Sequence, residues 1–299
     1  MHVWSERYDR DLKDVLALQD EVTLSIMRAL RVKLTDGEQA RLWHRNIFPK
    51  NLEAYEKYLQ GRMCSGQVTK EGNATARSLY EESMALDPGF VGNYNGLAIT
   101  YVVDAIWGWS KDPRESTRQA YKMANKVLAL DDSQDTPDYV LGLIYVYMGE
   151  HDKAIAEGER AVELNPNGNE ALAFLGCILN FAGRPEEAIT LLEKAMRLNP
   201  IPRSPFYAWL GTSYMLMNQN DQAIAIFEKR LRIQRDHTGC LMNLAAAYSL
   251  AGRREDALKT AAEFLRLNPK FSLEDYGKMF KDAAAREKLI NALRQAGLK

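Results

Sequence analysis

Two landmarks recur along the second half of this 299-residue chain in a fixed phase, and that phase constrains the fold more than any other feature. A Leu-Gly or Leu-Ala pair stands at Leu141-Gly142, Leu175-Gly176, Leu210-Gly211 and Leu244-Ala245, its second members 34, 35 and 34 residues apart. An alanine recurs at Ala154, Ala188, Ala223 and Ala257 with the same spacings. The units run over residues 135–166, 170–200, 205–235 and 239–269, and each ends in Asn-Pro except the third, which holds Gln234-Arg235. A period of this length marks a solenoid of repeated supersecondary units, each burying its apolar face against the next. Apolar residues return at helical spacing within each unit. Gly149, Gly183 and Gly252 fall where a first helix must stop, and the proline after each second helix redirects the chain. The small residue of each pair lets the partner helix approach closely, while Leu141, Tyr145, Leu175 and Tyr214 fill the space between.

The period and residue types resemble the tetratricopeptide repeat (TPR) family. The third unit carries the pattern as Tyr207, Leu210-Gly211, Tyr214, Ala223 and Phe227, with Arg230 and Arg235 in place of its last Ala and Pro. The resemblance implies an all-α superhelix of helical hairpins. Two irregular units come first, one over 51–88 and one over 91–132, the latter with about ten extra residues around Trp107-Gly108-Trp109-Ser110-Lys111-Asp112-Pro113. Six hairpins are expected over 46–270, with an amphipathic helix over 273–298 capping the stack.

Residues 1–45 read differently. Leu12, Val15, Leu16, Val22, Ile26, Leu30 and Leu34 keep helical spacing without any Leu-Gly pair, and Thr35-Asp36-Gly37-Glu38 fits a capping box. The run Trp4-Ser5-Glu6-Arg7-Tyr8-Asp9, followed by Leu18-Gln19-Asp20-Glu21, resembles the close of the TolB-like domain that precedes TPR arrays in bacterial signalling proteins. Met279-Phe280-Lys281-Asp282 and Arg286-Glu287-Lys288-Leu289 resemble the tails of bacterial class III adenylate/guanylate cyclases. Together these imply a piece of a longer polypeptide, with a domain remnant over 1–45, the repeats over 46–270 and a cap over 271–299.

Composition limits the alternatives. Lys plus Arg number 39 against 40 Asp plus Glu, so no global field favours nucleic acid. Arg197, Arg203, Arg230, Arg232 and Arg235 form either a local basic patch or solvated helix faces. Three scattered cysteines make neither a disulfide framework nor a zinc site, and the four histidines lack ligand spacing. No apolar run reaches membrane-span length and no secretory leader is evident, so a cytoplasmic location is expected. Neither cofactor nor metal is expected, and no catalytic constellation emerges.

What the resemblance implies about function is a concave surface for a protein or peptide, or for the parent's own catalytic domain. Carried over from the family, that surface takes Tyr139, Leu143 and Tyr147 from one unit, then Cys177, Asn180 and Phe181. Thr212 and Met215 follow, and Met242 and Ser249 close the row. Leu143, Phe181 and Leu216 face either this groove or their neighbours. The Lys/Asn carboxylate clamp of some relatives is missing: Tyr139, Leu143, Ala173, Cys177, Ala208 and Thr212 stand at its positions. Trp107 and Trp109 are either a contact site or the packing of a long turn on its own hairpin. The reading is a non-catalytic interaction and regulatory module of a nucleotide cyclase. The sensor half of a winged-helix transcription regulator and a free-standing scaffold are its rivals, and self-association is left open.

Overall fold

The repeats pair into hairpins in the order their spacing predicts. The computed structural model describes residues 49–130, 136–199, 204–269 and 271–299, and all regular elements among them are α-helices. Six hairpins follow one another: α1 (Leu52–Ser65) with α2 (Lys70–Leu86), α3 (Val91–Ile106) with α4 (Pro113–Leu130), α5 (Thr136–Tyr147) with α6 (His151–Leu164), α7 (Asn169–Phe181) with α8 (Pro185–Leu198), α9 (Ser204–Leu216) with α10 (Asn220–Ile233), and α11 (Thr238–Leu250) with α12 (Arg254–Leu267). A short α13 (Leu273–Gly277) and a final α14 (Ala283–Gln295) complete the chain. The structural reading of residues 1–45, with its TolB-like strand end and capping box, lies outside the described residues.

The recurrent small residues do what close packing asks of them. A Cβ on Gly176 would stand 2.7 Å from Leu192 Cγ and 3.3 Å from the Ala188 carbonyl oxygen, so only hydrogen fits between α7 and α8. The helix-ending glycines at 149, 183 and 252 all have positive φ. In the third unit Asn218 takes that role at φ 61°, the non-glycine residue that tolerates it best. Asn165, Asn199 and Asn268 leave helical geometry at the ends of the second helices, Asn165 for example at φ −142°, ψ 80°, as the following proline favours, and Gln234 does so before Arg235.

The insertion of the second unit is absorbed mainly by longer helices. α3 has 16 residues and α4 has 18, against 13 and 14 for α7 and α8. Asp112 accepts hydrogen bonds from Arg114 N and Glu115 N at 3.1 Å, starting α4 with Pro113 in its first turn.

First and second helices are buried differently. Ten successive residues of α7, from Ala171 to Asn180, are buried, whereas α8 buries the single stripe Ala188, Leu192 and Ala195. α11 likewise buries Thr238 through Tyr248 without a break, and α12 only Ala257, Ala261 and Phe264. A one-sided stripe is what a helix on the outside of a stack needs. Burial all round means that something also covers the inner face. The expected single cap helix is in fact broken at 278–282, and residues from Phe271 through the break supply part of that cover.

Candidate binding cavity

The inner face is built by the first helix of each hairpin. Leu143 from α5, Cys177, Asn180 and Phe181 from α7, Thr212 from α9 and Met242 from α11 all line one cavity of about 170 Å³. Ile99, Val102 and Trp107 from the second hairpin, with Phe174 and Trp209, complete much of its apolar wall. The other groove residues inferred from the repeat lie elsewhere. Met215 is buried beside the cap, its carbonyl accepting from Lys288 Nζ at 3.0 Å, and Ser249 donates to Gln295 Oε1 at 3.2 Å. Tyr147 is half-buried at the end of α5, outside the cavity wall, and the Tyr139 side chain is outside the described residues.

Three segments of the same chain close this face. After α12 the chain turns inward, and Phe271, Leu273, Tyr276, Met279 and Phe280 are buried. The Phe280 ring meets Phe181 edge to face at 4.9 Å, and Lys281 N donates to the Phe181 carbonyl at 2.8 Å. Lys281 Nζ reaches Asp152 at 2.8 Å, and the next residue, Asp282, accepts from Ala284 N and Ala285 N to start α14. Met279-Phe280-Lys281-Asp282 is therefore a docking and capping unit in four residues. The space that the family resemblance gives to a partner peptide holds residues of this chain.

The second segment is Trp107-Gly108-Trp109. Its indoles stack at 5.9 Å, Trp107 lies 6.0 Å from the Phe271 ring, and Trp109 Nε1 donates to Asn268 Oδ1 at 3.2 Å across 159 residues. Neither sequence reading of these tryptophans anticipated this partner, the far end of the stack. The third is the α1–α2 turn, where Thr238 Oγ1 at the start of α11 donates to the Val68 carbonyl. Val68 holds φ 53°, a costly conformation for a β-branched residue. Arg62 of α1 also reaches Glu170 of α7 at 3.2 Å.

Polar groups on the inner face mostly bond to one another. Asn180 Nδ2 donates to the Trp209 carbonyl at 2.9 Å, and Ser213 Oγ donates to Asn180 Oδ1 at 2.7 Å. Asn243 Nδ2 donates to Thr212 Oγ1 at 3.2 Å, and Tyr276 OH donates to Asn243 Oδ1 at 3.5 Å. No Asp, Glu, Lys or Arg lines the cavity among the described residues. Burial pushes the Cys177 thiol far up and the Cys240 thiol to about 12, so neither is a ready nucleophile. His237 caps α11, its Nδ1 accepting from Cys240 N at 3.0 Å. Burial first, and then the nearby Arg230 charge, hold its pKa down to about 4. Sequence reasoning passed over His237, Asn243 and Ser213 because the repeat pattern leaves those positions free to vary.

Among the described residues, no helix is long and apolar enough to cross a membrane, and no group of three or more His, Cys, Asp or Glu could hold a metal ion. "Putative adenylate cyclase 3" of Rhizobium meliloti (strain 1021) is 35% identical over 153 residues, 51% of this chain and 26% of that protein. The match thus spans about a quarter of the relative's length. The crystal structure of the APC/C hetero-tetramer Cut9-Hcn1 is similar in fold, with a TM-score of 0.53 and 17% identity over 94% of this chain and 54% of that one. The type IV pilus biogenesis factor PilW has a TM-score of 0.49 and 21% identity, covering 67% of this chain and 90% of its own. The tetratricopeptide repeat profile matches residues 113–269, more than half of the sequence. With the hairpin order and the residue phase described above, this chain belongs to the tetratricopeptide repeat family.

Proposed function

We propose that this chain is a regulatory interaction module of a nucleotide cyclase, itself non-catalytic, which conveys the state of its inner face to a partner protein or to the cyclase catalytic domain. The observation that carries the reading is the 35% identity to the Rhizobium meliloti protein, whose name describes an adenylate cyclase. Solenoids of this kind present extended surfaces to other proteins. In this reading the groove positions Leu143, Cys177, Phe181, Thr212 and Met242 act through the segment that covers them. Docking or release of residues 271–282 gives the module two arrangements of similar composition and different surface. A regulatory element needs two such states with an energy difference that a partner can bias.

The test has two arms. The isolated chain, supplied with ATP or GTP and Mg²⁺ or Mn²⁺, should make no cyclic nucleotide. In the whole gene product, Phe280→Ala, which releases the cover, should change cyclic nucleotide output. Turnover by the isolated chain, or identical output from wild type and variant, contradicts the proposal.

A further inference from the structure

The inner cavity has walls from the repeats and from all three segments that cross them. Val68 of the α1–α2 turn, Trp107 of the tryptophan segment, and Tyr276 and Met279 of the returning chain line the same space of about 170 Å³. A molecule held there touches the stack and its cover together.

The wall states what chemistry suits that space. Ile99, Val102, Leu143, Phe174 and Trp209 make it apolar and aromatic, and no charged side chain lines it among the described residues. Polar wall groups bond within the protein. Asn180 bonds to the Trp209 carbonyl and to Ser213, and Asn243 bonds to Thr212 and Tyr276. Thr212 Oγ1 donates to the Ala208 carbonyl at 2.9 Å. Water in a cavity needs two to four polar partners, whereas an apolar cavity of ~150 Å³ admits benzene. An ion would lose its hydration there with no charge to pair it.

The volume is left by small side chains that packing does not require. At Gly176 a Cβ would collide with Leu192 Cγ at 2.7 Å. Gly239, on the cavity wall, differs: a Cβ there would stand 3.4 Å from His237 Cε1 and 3.8 Å from Trp107 Cζ2, ordinary contact distances. Its φ is not in the left-handed region either. Glycine is a poor helix former, so neither sterics nor helix propensity selects it at the start of α11. What its absent side chain provides is room. Ala208 of α9 lines the same space with only a methyl group.

We propose that the inner cavity binds a neutral, apolar small molecule of about one aromatic ring, and that its occupancy strengthens closure of the inner face. A ligand that contacts Val68, Trp107 and Met279 together favours the arrangement in which they are together, and stabilises it by linkage. The inference rests on the docking and release of residues 271–282 in the regulatory reading, and it names the ligand class that biases them. Its test reads binding to this chain alone, so it can fail or hold independently of any cyclic nucleotide output.

Toluene is the probe, with benzoate as a charged companion of similar size. Calorimetric titration of the intact chain should show saturable one-to-one binding of toluene, with benzoate at least about tenfold weaker. Gly239→Leu and, separately, Ala208→Leu place a side chain in the space, and each should abolish toluene binding. Phe280 is not part of the cavity wall, so Phe280→Ala acts only by releasing the cover. It should weaken toluene by about tenfold, the fall in the closed population. Saturating toluene should in turn slow amide exchange across 271–282. The proposal is overturned by the absence of saturable toluene binding, by equal affinity for benzoate, by binding that survives both filling variants, or by affinity unchanged in Phe280→Ala. Should one filling variant fail to fold, the other and the ratio of the two probes on wild type decide.

Discussion

The two layers of the superhelix are made from the same repeats and answer to different constraints. The outer layer, α8 and α12 among its helices, buries one alanine-centred stripe and turns the rest to solvent. The inner layer, represented by α7 and α11, is buried on every side. An outer helix needs only its own hairpin and its neighbour, so its contacts span a few tens of residues. An inner helix also meets chain far away in sequence, as the Val68–Thr238 bond and the contact of the Phe280 and Phe181 rings show. The repeat therefore specifies the stack, while single non-repeating segments specify its closure. The three segments that break the period are also the three that cross the inner face.

The largest effect should come from removing the cover. Phe280 is buried against Phe181, and Phe280→Ala should cost roughly 3–5 kcal/mol. Amide exchange should place the loss in 271–282 and the inner helices, with α8 and α12 keeping their protection. Uniform loss across both layers would erase the distinction between them.

The next effect belongs to the inner layer alone and appears with pH. The His237 pKa is about 4 in the folded chain because burial, then Arg230, oppose its charge, although Asp236 favours it. Its unfolded value is near 6.5, so folding excludes a proton. Stability is then fully present above pH 6.5, falls as pH drops toward 4, and levels off below, a loss of about 3 kcal/mol. The stabilities of wild type and His237→Asn from urea melts should diverge by that amount across this range. Parallel curves would mean that His237 takes up its proton in the folded state.

A smaller effect lies at the seam between the layers. Gly176→Leu forces a side chain into the Leu192 and Ala188 contact of α7 with α8, and should destabilise by roughly 1–3 kcal/mol. Denaturant midpoints measure it, and a neutral result would separate the Leu-Gly phase from hairpin packing.

This division also explains what was legible in the sequence. Gly142, Gly176, Gly211 and the four alanines gave the hairpins because each role is repeated and each contact is local. Leu143, Cys177, Phe181, Thr212 and Met242 were carried over to the concave surface from the family resemblance, and they line one cavity. What covers that face could not be placed, because Phe280, Trp109 and Val68 each occur once and meet partners far away in sequence. The break after Gly277 was equally hidden, since Asp282 restarts helical geometry and the apolar periodicity reads through it. His237 stood at a position where the repeat allows many residues, so only its burial drew notice.

Closure of the inner face is the central claim, and a distance across the seam tests it most directly. Spin labels on cysteines at Gln67 and Arg235, both exposed, flank the Val68–Thr238 bond from opposite ends of the stack. Cys64→Ser removes the half-buried native thiol, and the buried Cys177 and Cys240 are too weakly acidic to compete for label. A closed superhelix gives one narrow, short distance by pulsed electron resonance, and Phe280→Ala broadens it. A long or broad distribution in the wild-type chain would contradict the account.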